Sequence, residues 1–310
     1  MILITGSTGN NGGEIIASLL KRGRTDVRAL VRNPEKDAMK VTAFHAQGVE
    51  VVQGDLARPA TLGPAMAHVD RMLLLSPVNP NAVELQSNAI RAAAAAGVGH
   101  VVKFSMIGAA LDSSVPLARW HRQSEEELER SGMAWTHLRP NDLMRYNTAL
   151  LMDSIEKEGA FYDSLGDARV AMVAEEDVAE VAATVLTESG HQSQVHILTG
   201  PEALSFTDVA AALTQALGKP VRYVPISGDA AREAMLAGGL PAPAVELVSA
   251  LRDYEREGHN AVITSTVADV LGRPPRTYLD VVQTAFGSAH DRTTRDGDPH
   301  RAVSQAHPRD

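Results

Sequence analysis

The 310-residue chain has no cysteine. That excludes disulfides, thiolate nucleophiles and cysteine-ligated metals, and it fits a reducing compartment. Aromatic residues make up only 4%, too few for the stacking platforms of a single-strand nucleic-acid binder. The formal net charge is −9, whereas binding a phosphate backbone requires a basic face. No nucleic-acid partner is therefore expected. Long hydrophobic runs are also missing: none approaches the ~18 residues of a membrane span. The first residues enter an apolar strand at once, with no signal-peptide pattern. These features predict a cytoplasmic protein without a membrane partner. What the chain does have is a 44% hydrophobic content, enough for a substantial core.

Apolar runs alternate with helical periodicity from the first residue. Met1–Ile4 reads as a buried strand, and Ile15, Ile16, Leu19 and Leu20 fall on one helical face. Between them lies Thr5-Gly6-Ser7-Thr8-Gly9-Asn10-Asn11-Gly12. Glycines where a strand turns into a helix have a physical meaning. Gly6 permits the turn, Gly9 admits a pyrophosphate to the backbone, and Gly12 lets the helix pack on its strand. The helix N-terminus offers free N–H groups and partial positive charge to phosphates. Further strands are predicted at 26–31, 49–54, 71–75, 100–105 and 133–138, with helices between, including one near 58–67. This alternation specifies a doubly wound parallel α/β sheet of the Rossmann type, whose ligands lie at the carboxyl ends of the strands.

The residues at those strand ends are the site candidates. Arg32 follows the second strand about 20 positions beyond Gly12, where an acid would bind a ribose 2′-hydroxyl. An arginine there suits the 2′-phosphate of NADP (NADPH) instead; a solvated strand-end arginine is the plainer reading. Asp55, with Leu56, ends the third strand. It either accepts from the adenine amino group or caps the next helix. Ser76-Pro77, Ser105 and Asn141 end later strands. The cofactor-binding candidates are thus Gly6, Thr8, Gly9, Asn10, Asn11, Gly12, Arg32, Asp55, Leu56, Ser76, Pro77, Ser105 and Asn141. Met106, Ile107, Trp120, Tyr146 and Phe161 are candidates for an acceptor pocket, with core packing the alternative for the apolar ones.

The domain reading is a nucleotide-binding core over 1–141. Residues 142–286 supply the remaining core elements and a small α+β substrate lobe, and 287–310 a disordered tail. In the second segment, helices are predicted at 142–158, 177–186, 227–238 and 242–256, with short strands at 159–162, 194–198 and 221–224. Ser205-Phe206-Thr207-Asp208 reads as a capping box. The histidines are scattered without ligand spacing, so no metal site is predicted.

Taken as a set, several motifs resemble the NmrA-like atypical short-chain dehydrogenase/reductases. They are the glycine loop at 5–12, Val31-Arg32-Asn33-Pro34, Gly54-Asp55-Leu56, Ser124-Glu125, Ser131–Thr136 and Leu138-Arg139-Pro140-Asn141. Gly159–Tyr162 and Thr199–Ser205 are similar to the bacterial NAD(P)H azoreductase, quinone-reductase and triphenylmethane-reductase branch. The resemblance implies a Rossmann fold, NADP and hydride delivery to a conjugated small-molecule acceptor such as a quinone or azo compound. One departure stands out. Where the wider superfamily places Tyr-x-x-x-Lys, this chain has Leu117-Ala118-Arg119-Trp120-His121. The usual carbonyl-reduction acid is absent, which a quinone or azo acceptor tolerates better than an ordinary ketone. His121 is the candidate catalytic residue, as proton donor or ribose anchor, against a plain helix-surface histidine. The alternative function is a non-catalytic NADP(H) sensor acting through a protein partner. A sugar-nucleotide epimerase would need the missing tyrosine–lysine pair.

Overall fold

The computed structural model describes residues 1–287. The elements run β1 (Ile2–Ile4), α1 (Asn10–Lys21), β2 (Val27–Val31), α2 (Ala38–Ala46), β3 (Glu50–Gln53), α3 (Leu62–Ala65), β4 (Arg71–Leu74), α4 (Ala82–Ala96), β5 (His100–Phe104), α5 (Pro116–Glu129) and β6 (Ala134–Pro140). There follow α6 (Met144–Glu158), β7 (Ala160–Asp163), α7 (Glu175–Thr187), β8 (Gln194–Leu198), α8 (Phe206–Leu217), β9 (Arg222–Pro225), α9 (Gly228–Ala237), α10 (Ala242–Arg256), α11 (Thr266–Leu271) and α12 (Tyr278–Phe286).

Seven strands form one sheet in the order β3-β2-β1-β4-β5-β6-β8, every pairing parallel. Because helices cover both faces, the central strands are buried without alternation: β1, β2 and β5 are buried along their whole length, Arg28, His100 and Lys103 included. The order reverses between β1 and β4, so the loops after these strands diverge and leave a crevice. On one face α1 packs against α7, with Ile15, Ile16 and Leu19 meeting Val178, Val181, Ala182 and Val185. β8 and α7, encoded in the second segment, therefore belong to the main sheet. On the other face Leu62, Met66, Ile90 and Leu128 cover Leu3, Met72 and Leu74.

A second core is built on the parallel pair β7–β9. Phe161, Phe206 and Tyr223 cluster there, with ring centroids 5.4–5.7 Å apart, and α6 and α12 close over them. α10 joins this lobe to the sheet through a buried charge cluster. The Arg252 guanidinium lies 2.6 Å from Glu255, 3.2 Å from Asp163 and 3.6 Å from Asp142. Three carboxylates thus share one cation, and burial pushes both Glu255 and Asp163 above the usual carboxylate range.

Two differences from the sequence reading have clear causes. The helix expected near 58–67 is only a 3-10 turn at Pro59–Thr61 followed by the four-residue α3. Gly63 and Pro64 are poor helix formers, and Asp55 does not cap it. Asp55 Oδ1 instead accepts from the Ala57 amide at 3.0 Å, a local turn. α11 and α12 were not anticipated, although Thr277 and Asp280 form the capping box of α12. From residue 288 on, the expected tail lies outside the described residues.

Candidate active site

The loop between β1 and α1 is held by its small polar side chains. Thr5 Oγ1 donates to the carbonyls of Leu73 and Leu75 and accepts from the Leu75 amide at 2.8 Å, tying the end of β1 to β4. Ser7 Oγ donates to the Leu30 carbonyl at 2.7 Å, tying it to β2. Gly6 takes a left-handed φ of +61° against Leu75. A Cβ on Gly12 would sit 2.2 Å from the Gly6 carbonyl oxygen, so Gly12 serves the packing of α1 under the loop. With Thr5 and Ser7 turned inward, Thr8, Asn10 and Asn11 line the crevice. α1 has no side-chain cap and no acid in its first turn. Its N-terminal amides and the positive end of its dipole are free to meet an anion.

The crevice is a cleft of about 2370 Å³, larger than the about 300–1,000 Å³ of single small-ligand pockets. It has room for a dinucleotide and an acceptor together. Gly6, Thr8, Gly9, Asn10, Asn11, Arg32, Asp55, Leu56, Ser76, Pro77 and Tyr146 all border it. Arg32 is exposed and makes no ion pair among the described residues. It also borders an adjoining hollow of about 520 Å³ with Asn33, Gln53 and Arg58. Lys40 donates from its ammonium to the Thr8 carbonyl, adding a cation beside the phosphate loop. The far wall comes from α6 and α12, with Leu150, Met152, Val281 and Phe286. Glu175 fixes the start of α6, its carboxylate accepting from the amides of Arg145 at 3.1 Å and Tyr146 at 2.7 Å.

The remaining candidates lie off this cleft lining. Asn141 is buried, donating to the Asn260 carbonyl at 2.8 Å and accepting from the Asp142 amide at 2.9 Å. Its side chain spends these bonds on the fold and does not line the cleft. Phe161 is fully buried in the second core against Phe206 and Tyr223, because it points inward from β7; it is no pocket residue. Ile107 is buried. Met106 and Trp120 are half-buried outside the cleft lining. Ser105 is buried and donates to Glu125 Oε1 at 2.7 Å.

Behind Ser105 lies a buried ionic network that sequence reasoning missed. Glu125 takes a bidentate pair from Arg139 at 2.5 and 3.0 Å and a third contact from Arg122 at 3.2 Å. Burial alone would raise the Glu125 carboxyl, but Arg139 and Ser105 hold it down at about 2. Glu129 joins through Arg122, and His137 joins through Glu129. Glu125, Glu129 and His137 are close enough to hold a cation, yet the two guanidiniums already neutralise the carboxylates. Lys103, fully buried in β5, approaches His121 Nδ1 at 2.9 Å. Burial pushes the Lys103 ammonium down to about 7, and burial followed by the Lys103 charge pushes His121 well below its ordinary range. The available signal was a lysine in the middle of a run otherwise fit for a buried strand.

The sequence profile of the NmrA-like family matches residues 1–269. The chain belongs to the NmrA-like family. Among its NmrA-like relatives, the NAD(P)H azoreductase of Xenophilus azovorans is 38% identical over 292 residues, covering 93% of this chain and 100% of the relative. The NADPH-dependent quinone oxidoreductase of Escherichia coli, solved in complex with NADPH, superposes with a TM-score of 0.85 at 32% identity, covering 93% of this chain and all of that one. The Citrobacter sp. triphenylmethane reductase complexed with NADP(H) gives a TM-score of 0.82 at 28% identity, over 91% and 99% of the two chains.

Proposed function

We propose that this NmrA-like protein is an NADPH-dependent oxidoreductase that reduces a conjugated small-molecule acceptor, such as a quinone or an azo compound. The observation that carries the reading is the N-terminus of α1 at the sheet's switch point, uncapped among the described residues, with Arg32, unpaired among them, at the end of β2. The relatives named for azo, quinone and dye reduction support it over nearly the whole chain. Gly6, Gly9, Asn10 and Asn11 hold the pyrophosphate, Arg32 the 2′-phosphate, Asp55 and Leu56 the adenosine end, and Ser76-Pro77 the nicotinamide end. The small lobe, through Tyr146 and Leu150 on α6, receives the acceptor. Bound NADPH supplies the hydride. The protein supplies orientation and a cleft walled from bulk water on its α6–α12 side.

The test is NADPH consumption with benzoquinone and an azo dye, repeated with NADH. Turnover with marked preference for NADPH is expected. Tight NADPH binding without turnover on a broad acceptor panel would overturn the reading.

A further inference from the structure

A second arginine shares the hollow beside Arg32. This space of about 520 Å³ is bordered by Arg32, Asn33, Glu35, Gln53, Asp55 and Arg58. Arg32 and Asp55 also line the main cleft, so the two spaces are continuous. They join at the end of β2, where a dinucleotide fold meets the adenosine ribose. Arg58 reaches the hollow from the other side, out of the turn between β3 and α3. Its side chain is 78% exposed, so the fold does not use up its charge.

The backbone under Arg58 is fixed. Its amide donates to the Asp55 carbonyl at 2.8 Å, and its carbonyl accepts from the Thr61 amide at 2.9 Å and from Thr61 Oγ1 at 2.7 Å. Thr61 Oγ1 in turn accepts from the Asp55 amide at 2.9 Å. The Asp55 carboxylate comes within 3.9 Å of the Arg58 guanidinium, close enough to orient the side chain but too far to neutralise it fully. Across the hollow, Asn33 Oδ1 accepts from the Lys36 amide at 3.1 Å, which leaves the Asn33 NH2 group as a donor. Glu35 also borders the hollow, but it is exposed and solvent screens its charge. Two cations that face one space repel each other. An anion between them is attracted by both and removes that repulsion.

We propose that Arg58 is a second specificity-determining residue for NADPH, closing with Arg32 on the 2′-phosphate from opposite sides of this hollow. The proposal rests on the reductase reading, which gives that phosphate to Arg32 alone. A phosphate monoester carries about 1.5–2 negative charges near neutral pH. One guanidinium leaves part of that charge uncompensated, and two balance it. Each guanidinium is planar and can donate two parallel N–H bonds to phosphate oxygens. NADH has a hydroxyl at this position and gives neither arginine an anion to hold, so both stay hydrated. The clamp therefore adds to the affinity for NADPH alone.

Titration calorimetry with NADPH and with NADH compares the wild type with Arg58→Ala, Arg58→Glu and Arg32→Ala, and thermal melts check folding. Arg58→Ala is expected to weaken NADPH binding about tenfold and leave NADH within about twofold. Arg58→Glu should weaken NADPH further, because attraction becomes repulsion, and again spare NADH. Added salt should narrow the gap between the wild type and Arg58→Ala, since the guanidinium is exposed. Unchanged NADPH affinity in Arg58→Ala would overturn the clamp. So would equal losses of both cofactors, which mean that Arg58 touches the adenosine they share, and so would an Arg58→Glu variant that binds NADPH as well as Arg58→Ala does. Arg32→Ala separates the two failures. A selective loss there with none in Arg58→Ala defeats the clamp only, whereas a wild type that binds neither cofactor defeats the reductase reading and the clamp with it. A selective loss in Arg58→Ala, in a protein that reduces no acceptor, keeps the clamp and removes the reductase reading.

Discussion

At the scale of single residues, Arg32 is the proposed discriminator between NADPH and NADH. It is exposed at the mouth of the cleft, with no acid holding it among the described residues. Charge-assisted hydrogen bonds contribute about 1.5–3 kcal/mol each. Arg32→Ala is therefore expected to weaken NADPH binding about tenfold to a hundredfold and leave NADH binding nearly unchanged. Titration calorimetry with both cofactors checks this, and equal losses would place the 2′-phosphate elsewhere. Its place at the end of β2 and on the cleft was legible because its distance from Gly12 is set by one helix and one strand. Asn141 and Phe161 were not legible in the same way. A polar residue after a strand looks alike whether it meets a ligand or a neighbouring carbonyl, and only the Asn260 carbonyl decides for Asn141. Spacing also gave no warning of the Glu125–Arg139 pair, whose members come from an adjoining helix and strand and meet only once both are packed.

At the scale of elements, periodicity located nearly every strand and the longer helices, because each must bury one face. It failed where local chemistry overrode pattern. The stretch around α3 has helical apolar spacing, but Gly63-Pro64 interrupts it after one turn. α12 was missed for the opposite reason: its start is marked by a capping box rather than by a long apolar stripe. Thr277 Oγ1 accepts from the Asp280 amide at 3.2 Å, and the Asp280 carboxylate accepts from the Thr277 amide at 3.3 Å. Removing an N-cap costs about 1 kcal/mol. Thr277→Ala should therefore lower the melting midpoint by about 2 °C. Since Asp280, Val281, Thr284 and Phe286 border the cleft, the same variant should raise KM for the acceptor more than it changes kcat. A change in kcat alone would show that α12 does not wall the acceptor end.

For the whole molecule, the parallel sheet was legible from the alternation, but the place of β8 was not. Nothing local distinguishes an edge strand beside β6 from a strand of the small lobe. The joint between the two cores carries its own pH dependence. Glu255 is protonated in the folded protein up to about 8, since burial and the Asp142 charge oppose ionisation. In the unfolded chain it ionises in the ordinary carboxylate range. Over the interval between, the unfolded state binds fewer protons, so this group's contribution to stability falls as pH rises and levels off above about 8. Glu255→Gln, which cannot ionise, should gain on the wild type over that same interval. Urea denaturation of both proteins from about pH 5 to 9 checks the sign; a constant difference would remove Glu255 as the titrating group.

The pairing of α1 with α7 also governs how the protein comes off the ribosome. Ile15, Ile16 and Leu19 are among the first residues made, and their partners Val178, Val181 and Val185 are among the later ones. Until α7 emerges, the nascent chain carries an apolar helix face with nothing to cover it. That face stays open to other apolar surfaces for the whole stretch of synthesis between the two helices, and completing α7 is what allows it to be covered.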